Sequence, residues 1–137
     1  MKAGKILIAG VVISVFSTIF GMVTCGWLFS WVYKLEPVGI WKSMEGPPGA
    51  MFFIGALVLN IIFVLVYVLL RKGIPGKNKL IKGLMYGLCV WAVGILPGMF
   101  SMYSFMTVAT GVLVYWAIQG LIETPLAGLI TAAICGE

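Results

Sequence analysis

Residues 50–70 read AMFFIGALVLNIIFVLVYVLL, and residues 71–82 follow at once as RKGIPGKNKLIK. The first stretch holds fifteen Leu, Ile, Val or Phe side chains and no charge. At roughly 0.3 to 0.6 kcal/mol each, these favour transfer into a bilayer by about 5 to 9 kcal/mol, which a single Asn60 does not reverse. As a helix the stretch has the length of the hydrocarbon core, about 30 Å. The second stretch carries five of the nine basic residues of the chain together with Gly73, Pro75 and Gly76, so it reads as a turn on one membrane face.

Three further apolar runs flank this pair. One extends from about Ile6 to Tyr33, one from Gly83 to about Met106 with a kink expected at Pro97, and one from about Thr107 to Cys135, interrupted by Glu123 and Pro125. The first is longer than the hydrocarbon core and must tilt or project, and Trp27, Trp31 and Tyr33 near its end resemble an interfacial belt. Lys2 and Lys5 precede it as in a signal peptide, but the run exceeds an h-region and reaches no small-x-small cleavage site, so it reads as a retained anchor. Between the first two runs, Pro37, Pro47 and Pro48 break any helix. There Glu36 and Glu45 can pair with Lys34 and Lys42 at little net energy. The runs are continuous, not alternating, which argues against a barrel wall. The expectation is an all-α integral membrane protein: a single domain of 137 residues with four transmembrane helices, about 6–33, 50–70, 83–106 and 107–135, in a compact bundle.

Composition narrows the function. Hydrophobic residues make up 62% of the chain and charged residues 9%, against about a quarter charged in soluble domains, so the lipid bilayer is the first partner. The net charge of +5 lies between apolar runs as topology determinants, which argues against nucleic acid. Lys2, Lys5 and the five basic residues of 71–82 fall on one side and Lys34 and Lys42 on the other. By the positive-inside rule both termini are expected to be cytoplasmic; the expected location is a cell membrane, the cytoplasmic (inner) one. The chain has no His and no Asp, which removes imidazole-based metal sites and hydrolase triads; no metal site and no cofactor is expected. Cys25, Cys89 and Cys135 form no C-x-x-C pair and read as small packing residues.

Two patterns remain. Gly83, Gly87, Gly94 and Gly98 fall within about 60° on a helical wheel, and Gly10, Ser14, Ser17, Gly21, Thr24 and Cys25 within about 100°. Glycine costs about 1 kcal/mol of helix propensity against alanine, so such stripes imply close helix packing, within the bundle or in a homo-oligomer. The buried polar residues Asn60, Gln119 and Glu123 form the candidate polar or ion site, Gln119 and Glu123 sharing a face at spacing four. The leading expectation is a non-enzymatic interaction, accessory or assembly protein, partnered by itself or another membrane protein. The alternative is a transporter or channel protomer using Glu123, and a lipid- or quinone-directed enzyme stands third.

Overall fold

Asn78 opens the third helix: its side-chain oxygen accepts a hydrogen bond from the Ile81 N–H at 3.0 Å, satisfying a donor that the first turn leaves free. Capping there starts the helix at Lys79, one turn ahead of Gly83 where the apolar pattern begins. The computed structural model describes residues 3–41 and 49–136, so Lys2, Lys42, Glu45, Pro47 and Pro48 lie outside the described residues. Four helices are long and apolar enough to cross a membrane: Ala3–Leu28, Ala50–Leu70, Lys79–Phe105 and Thr110–Cys135. There is no strand among the described residues.

The second helix is regular, and the other three each carry an irregularity or lack one where it was expected. The first is α-helical over Ala3–Val23, widens into a π-turn over Thr24–Leu28, and breaks at Phe29. A short 3-10 turn, Ser30–Lys34, then carries Tyr33, so the run to Tyr33 is not one helix. The third helix has a second π-turn, Trp91–Ile95, just ahead of Pro97. A proline ring collides with the carbonyl four residues back, and the wider turn relieves that collision. The fourth helix runs unbroken through Pro125. Nearby, the Thr124 hydroxyl bonds the Gly120 carbonyl at 2.7 Å, and Gly87 of the third helix packs directly over the proline. The third and fourth helices are separated at Met106, whose extended backbone (φ −128°, ψ 154°) ends the helix after Phe105.

The fourth helix is the most buried and lies between the first and third, while the second packs chiefly on the first. Its closest neighbour is the third helix. A Cβ at Gly83 would run into the Gly128 carbonyl and lie 2.6 Å from the Ala132 Cβ. One at Gly87 would run into the Thr124 carbonyl and lie 2.5 Å from the Pro125 Cα. The two backbones therefore touch, which matters in lipid, where dispersion contacts replace the hydrophobic effect as the force between helices. Gly10 does the same for the first and second helices, since its Cβ would stand 2.6 Å from Ile61 Cγ1. Two buried clusters complete the core. Ala9, Ile13, Val64, Ala127 and Cys135 join the first, second and fourth helices, and Tyr67, Tyr86 and Ala132 join the second, third and fourth. Large apolar side chains such as Leu59, Leu69 and Val93 point outward, as lipid as a solvent requires.

The glycine stripe of the third helix divides at its π-turn. Apart from the adjacent backbone of its own helix, nothing lies within 4 Å of a Cβ built on Gly94 or Gly98, nor on Gly21 of the first helix. The extra residue of a π-turn rotates everything beyond it by roughly 100°, so Gly94 and Gly98 leave the face that Gly83 and Gly87 present to the fourth helix. The two stripes do not meet each other: Gly83 and Gly87 face the fourth helix, and Gly10 faces the second.

Candidate functional site

Small polar residues recur along one side of the first helix, and Ser14 and Thr24 are anchored before they reach a neighbour. Ser14 donates to the Gly10 carbonyl at 2.8 Å and Thr24 to the Phe20 carbonyl at 2.7 Å, so their oxygens remain as acceptors aimed across the helix interface. Asn60 of the second helix uses the first of these, its amide donating to Ser14 Oγ at 3.1 Å. Gln119 of the fourth uses the second, donating to Thr24 Oγ1 at 3.2 Å. Glu123, one turn further along, lies near the Ser17 side chain. Asn60 and Gln119 thus bond two different residues of the first helix, and Glu123 lies beside a third. The first helix is the common polar partner, which answers the cost of isolated polar groups in hydrocarbon.

Around Gln119 the contacts extend into a directed chain. The Cys25 thiol donates to Gln119 Oε1 at 3.5 Å, and Cys25 Sγ lies 3.4 Å from the Tyr115 hydroxyl. With Tyr115 donating to the sulfur, the order runs from Tyr115 to Cys25 to Gln119 to Thr24 to the Phe20 carbonyl. The π-turn makes this possible by letting the consecutive Thr24 and Cys25 both reach one amide. The second π-turn grips the same part of the fourth helix from the other side. Trp91 Nε1 donates to the Ala117 carbonyl at 2.8 Å, and a Cβ on Gly120 would lie 2.6 Å from Ile95 Cδ1. Beyond Tyr115 an aromatic cluster closes the end of the seam: Trp116 Nε1 donates to the Tyr33 hydroxyl at 2.7 Å, and Trp41 stands edge-on to both rings.

An apolar groove of about 490 Å³ lies beside this chain between the first and fourth helices. Phe20, Val32, Val114 and Ile118 form walls, and Thr24 and Gln119 supply its polar floor. The seam can hold helices in register and pass hydrogen bonds along its length. It contains no nucleophile paired with a base. Among the described residues no three His, Cys, Asp or Glu side chains gather as metal ligands.

Tyr115 and Cys25 are the participants that the sequence reading leaves out of the site. Tyr115, Gln119 and Glu123 recur at intervals of four, which places them in a line on one helix face and was the available clue. Cys25 lies on the small-residue stripe, where its spacing does not distinguish packing from hydrogen bonding. Cys135 also departs from a plain packing role: its thiol meets the Lys5 carbonyl at 3.5 Å, tying the end of the fourth helix to the start of the first. Cys89 is exposed. No protein-family model, curated protein or solved structure matches the chain.

Proposed function

We propose that this four-span, all-helical membrane protein is a non-enzymatic accessory or assembly protein that packs against another membrane-spanning helix. The observation that carries the reading is the outer half of the third helix. Past its π-turn, Gly98, Ser101 and Phe105 share one face, Phe105 is 88% exposed, and the space over Gly94 and Gly98 is open. Glycine in a helix needs a close neighbour to repay its lost propensity, and within this chain Gly94 and Gly98 have none. A helix of a second copy or of a different membrane protein fits that face.

The test is a photo-crosslinking benzoylphenylalanine introduced at Ser101, with Leu59 on the exposed face of the second helix as control. In intact membranes Ser101 is expected to give a discrete protein adduct that Leu59 does not give and that Gly98→Ile removes. An adduct of twice the chain's mass identifies a second copy, and any other mass a different protein. Lipid adducts alone at both positions would sink the proposal.

A second reading rests on Glu123 within the fourth membrane-crossing helix, because an intramembrane carboxyl is a natural proton or cation site. Proton flux into vesicles that is present in the wild type and lost in Glu123→Gln would favour transport over accessory function. For either reading the orientation follows from the basic residues, with both termini and the 71–82 turn on the cytoplasmic side of the inner membrane. A reporter active only outside the cytoplasm, fused to the C-terminus, is expected to stay silent; activity there would overturn the orientation.

A further inference from the structure

Where the second helix ends and the third begins, the chain builds a small cavity of about 180 Å³ lined by Tyr67, Arg71, Lys72, Lys79 and Lys82. Four of the five are cationic, and none of the described residues lining it is acidic. The stretch from Arg71 to Lys82 contains no acid at all in the sequence.

The cavity is held in shape by contacts that do not consume every cationic group. Arg71 reaches across to the end of the fourth helix and donates to the Cys135 carbonyl at 2.7 Å. Lys82 folds its ammonium back onto the Arg71 carbonyl at 3.2 Å. Gly76 brings the turn so close to Lys82 that a Cβ there would stand 2.9 Å from the Lys82 side chain. Arg71 and Lys82 therefore belong to the frame, while Lys72 and Lys79 are exposed. Leu69, Leu70 and Leu80, on the same two helix ends, point outward toward the acyl region.

We propose that this cavity binds the phosphate of an anionic lipid headgroup. Its place at the ends of two spans sets it at headgroup depth, where a phosphate already resides, and ammonium and guanidinium groups are the donors that recognise phosphate oxygens. The flanking leucines give the acyl chains of the same molecule an apolar surface, which a free anion would not use. The proposal stands apart from the interaction reading, since it draws on a different face and different residues.

The experiment uses the full chain purified in neutral detergent and follows its thermal unfolding midpoint, with native mass spectrometry counting bound lipid. Phosphatidylglycerol, phosphatidylcholine and inorganic phosphate are the three probes. Phosphatidylglycerol is expected to raise the midpoint saturably and to remain bound in the mass spectrum, while the other two leave the midpoint unchanged. Replacing Lys72 and Lys79 together by glutamine is expected to raise the half-saturating phosphatidylglycerol concentration by roughly tenfold or more. Replacing both by arginine restores it, and Lys34→Gln, beyond the opposite end of the first helix, leaves it unchanged. A lipid-free midpoint equal to wild type in the glutamine variant shows that its frame is intact. An equal shift with phosphatidylcholine, the whole shift reproduced by inorganic phosphate, or an unchanged half-saturation in the glutamine variant would overturn the proposal.

Discussion

Replacing Gly87 by isoleucine is expected to leave the third helix unable to seat against the fourth, and the purified variant to lose its cooperative unfolding transition in detergent. The obstacle is backbone, not side chain. The first added carbon would already overlap the Thr124 carbonyl and stand 2.5 Å from Pro125 Cα and 2.7 Å from its nitrogen, none of which can rotate away. The helices must separate, and this contact is the most extensive interface in the bundle. Overpacking that side chains can absorb costs about 1 to 3 kcal/mol, so a collision with rigid backbone is expected to exceed about 3 kcal/mol. Gly94→Ile provides the contrast, since its added carbon meets open space. It should unfold at the wild-type temperature in detergent. Equal midpoints for wild type and both variants would show that the third and fourth helices are not in backbone contact at Gly87.

The contrast between Gly87 and Gly94 also marks where the sequence stops being readable. Four spans are legible because lipid as a solvent demands long uninterrupted apolar runs, and the run at 50–70 coincides with its helix residue for residue. Helix ends are less so, because they depend on single capping groups: Asn78 extends the third helix backward, and the extended backbone at Met106 stops it. A glycine stripe read at 100° per residue assumes an unbroken α-helix. The π-turn at Trp91–Ile95 violates that assumption and splits the stripe, and its placement depends on Pro97 and on how Trp91 meets the fourth helix.

The candidate site shows the same division. Asn60, Gln119 and Glu123 are conspicuous as polar residues in apolar runs, and the first helix's small polar stripe is visible as a periodicity. That Ser14 meets Asn60 and Thr24 meets Gln119, with Ser17 beside Glu123, depends on the rotation and depth of each helix. Those quantities are set by tertiary packing at Gly10, Gly83 and Gly87, not by local pattern.

Tyr86 supports a second large effect, because the second and third helices meet through this one side chain and its immediate neighbours. Its ring sits 4.8 Å from that of Phe63 and 5.4 Å from that of Tyr67, and its hydroxyl donates to the Phe63 carbonyl at 2.7 Å. Tyr86 is 4% exposed and Tyr67 1%, so no lipid chain can flow in to fill a gap between them. Tyr86→Ala removes the ring contacts and leaves a cavity, for which about 3 to 5 kcal/mol of destabilisation is expected. Tyr86→Phe keeps the ring and loses only the hydroxyl. The Phe63 carbonyl retains its own helical hydrogen bond, so the cost there is expected at about 1 kcal/mol, within the range of interhelical hydrogen bonds in membranes. Unfolding titrations in mixed micelles measure both. A ratio of about three or more between the two losses identifies the stacked rings as the joint between these helices. Comparable losses would assign the joint to the hydroxyl alone, and a negligible loss for alanine would mean that the second helix is held by the first helix without help from Tyr86.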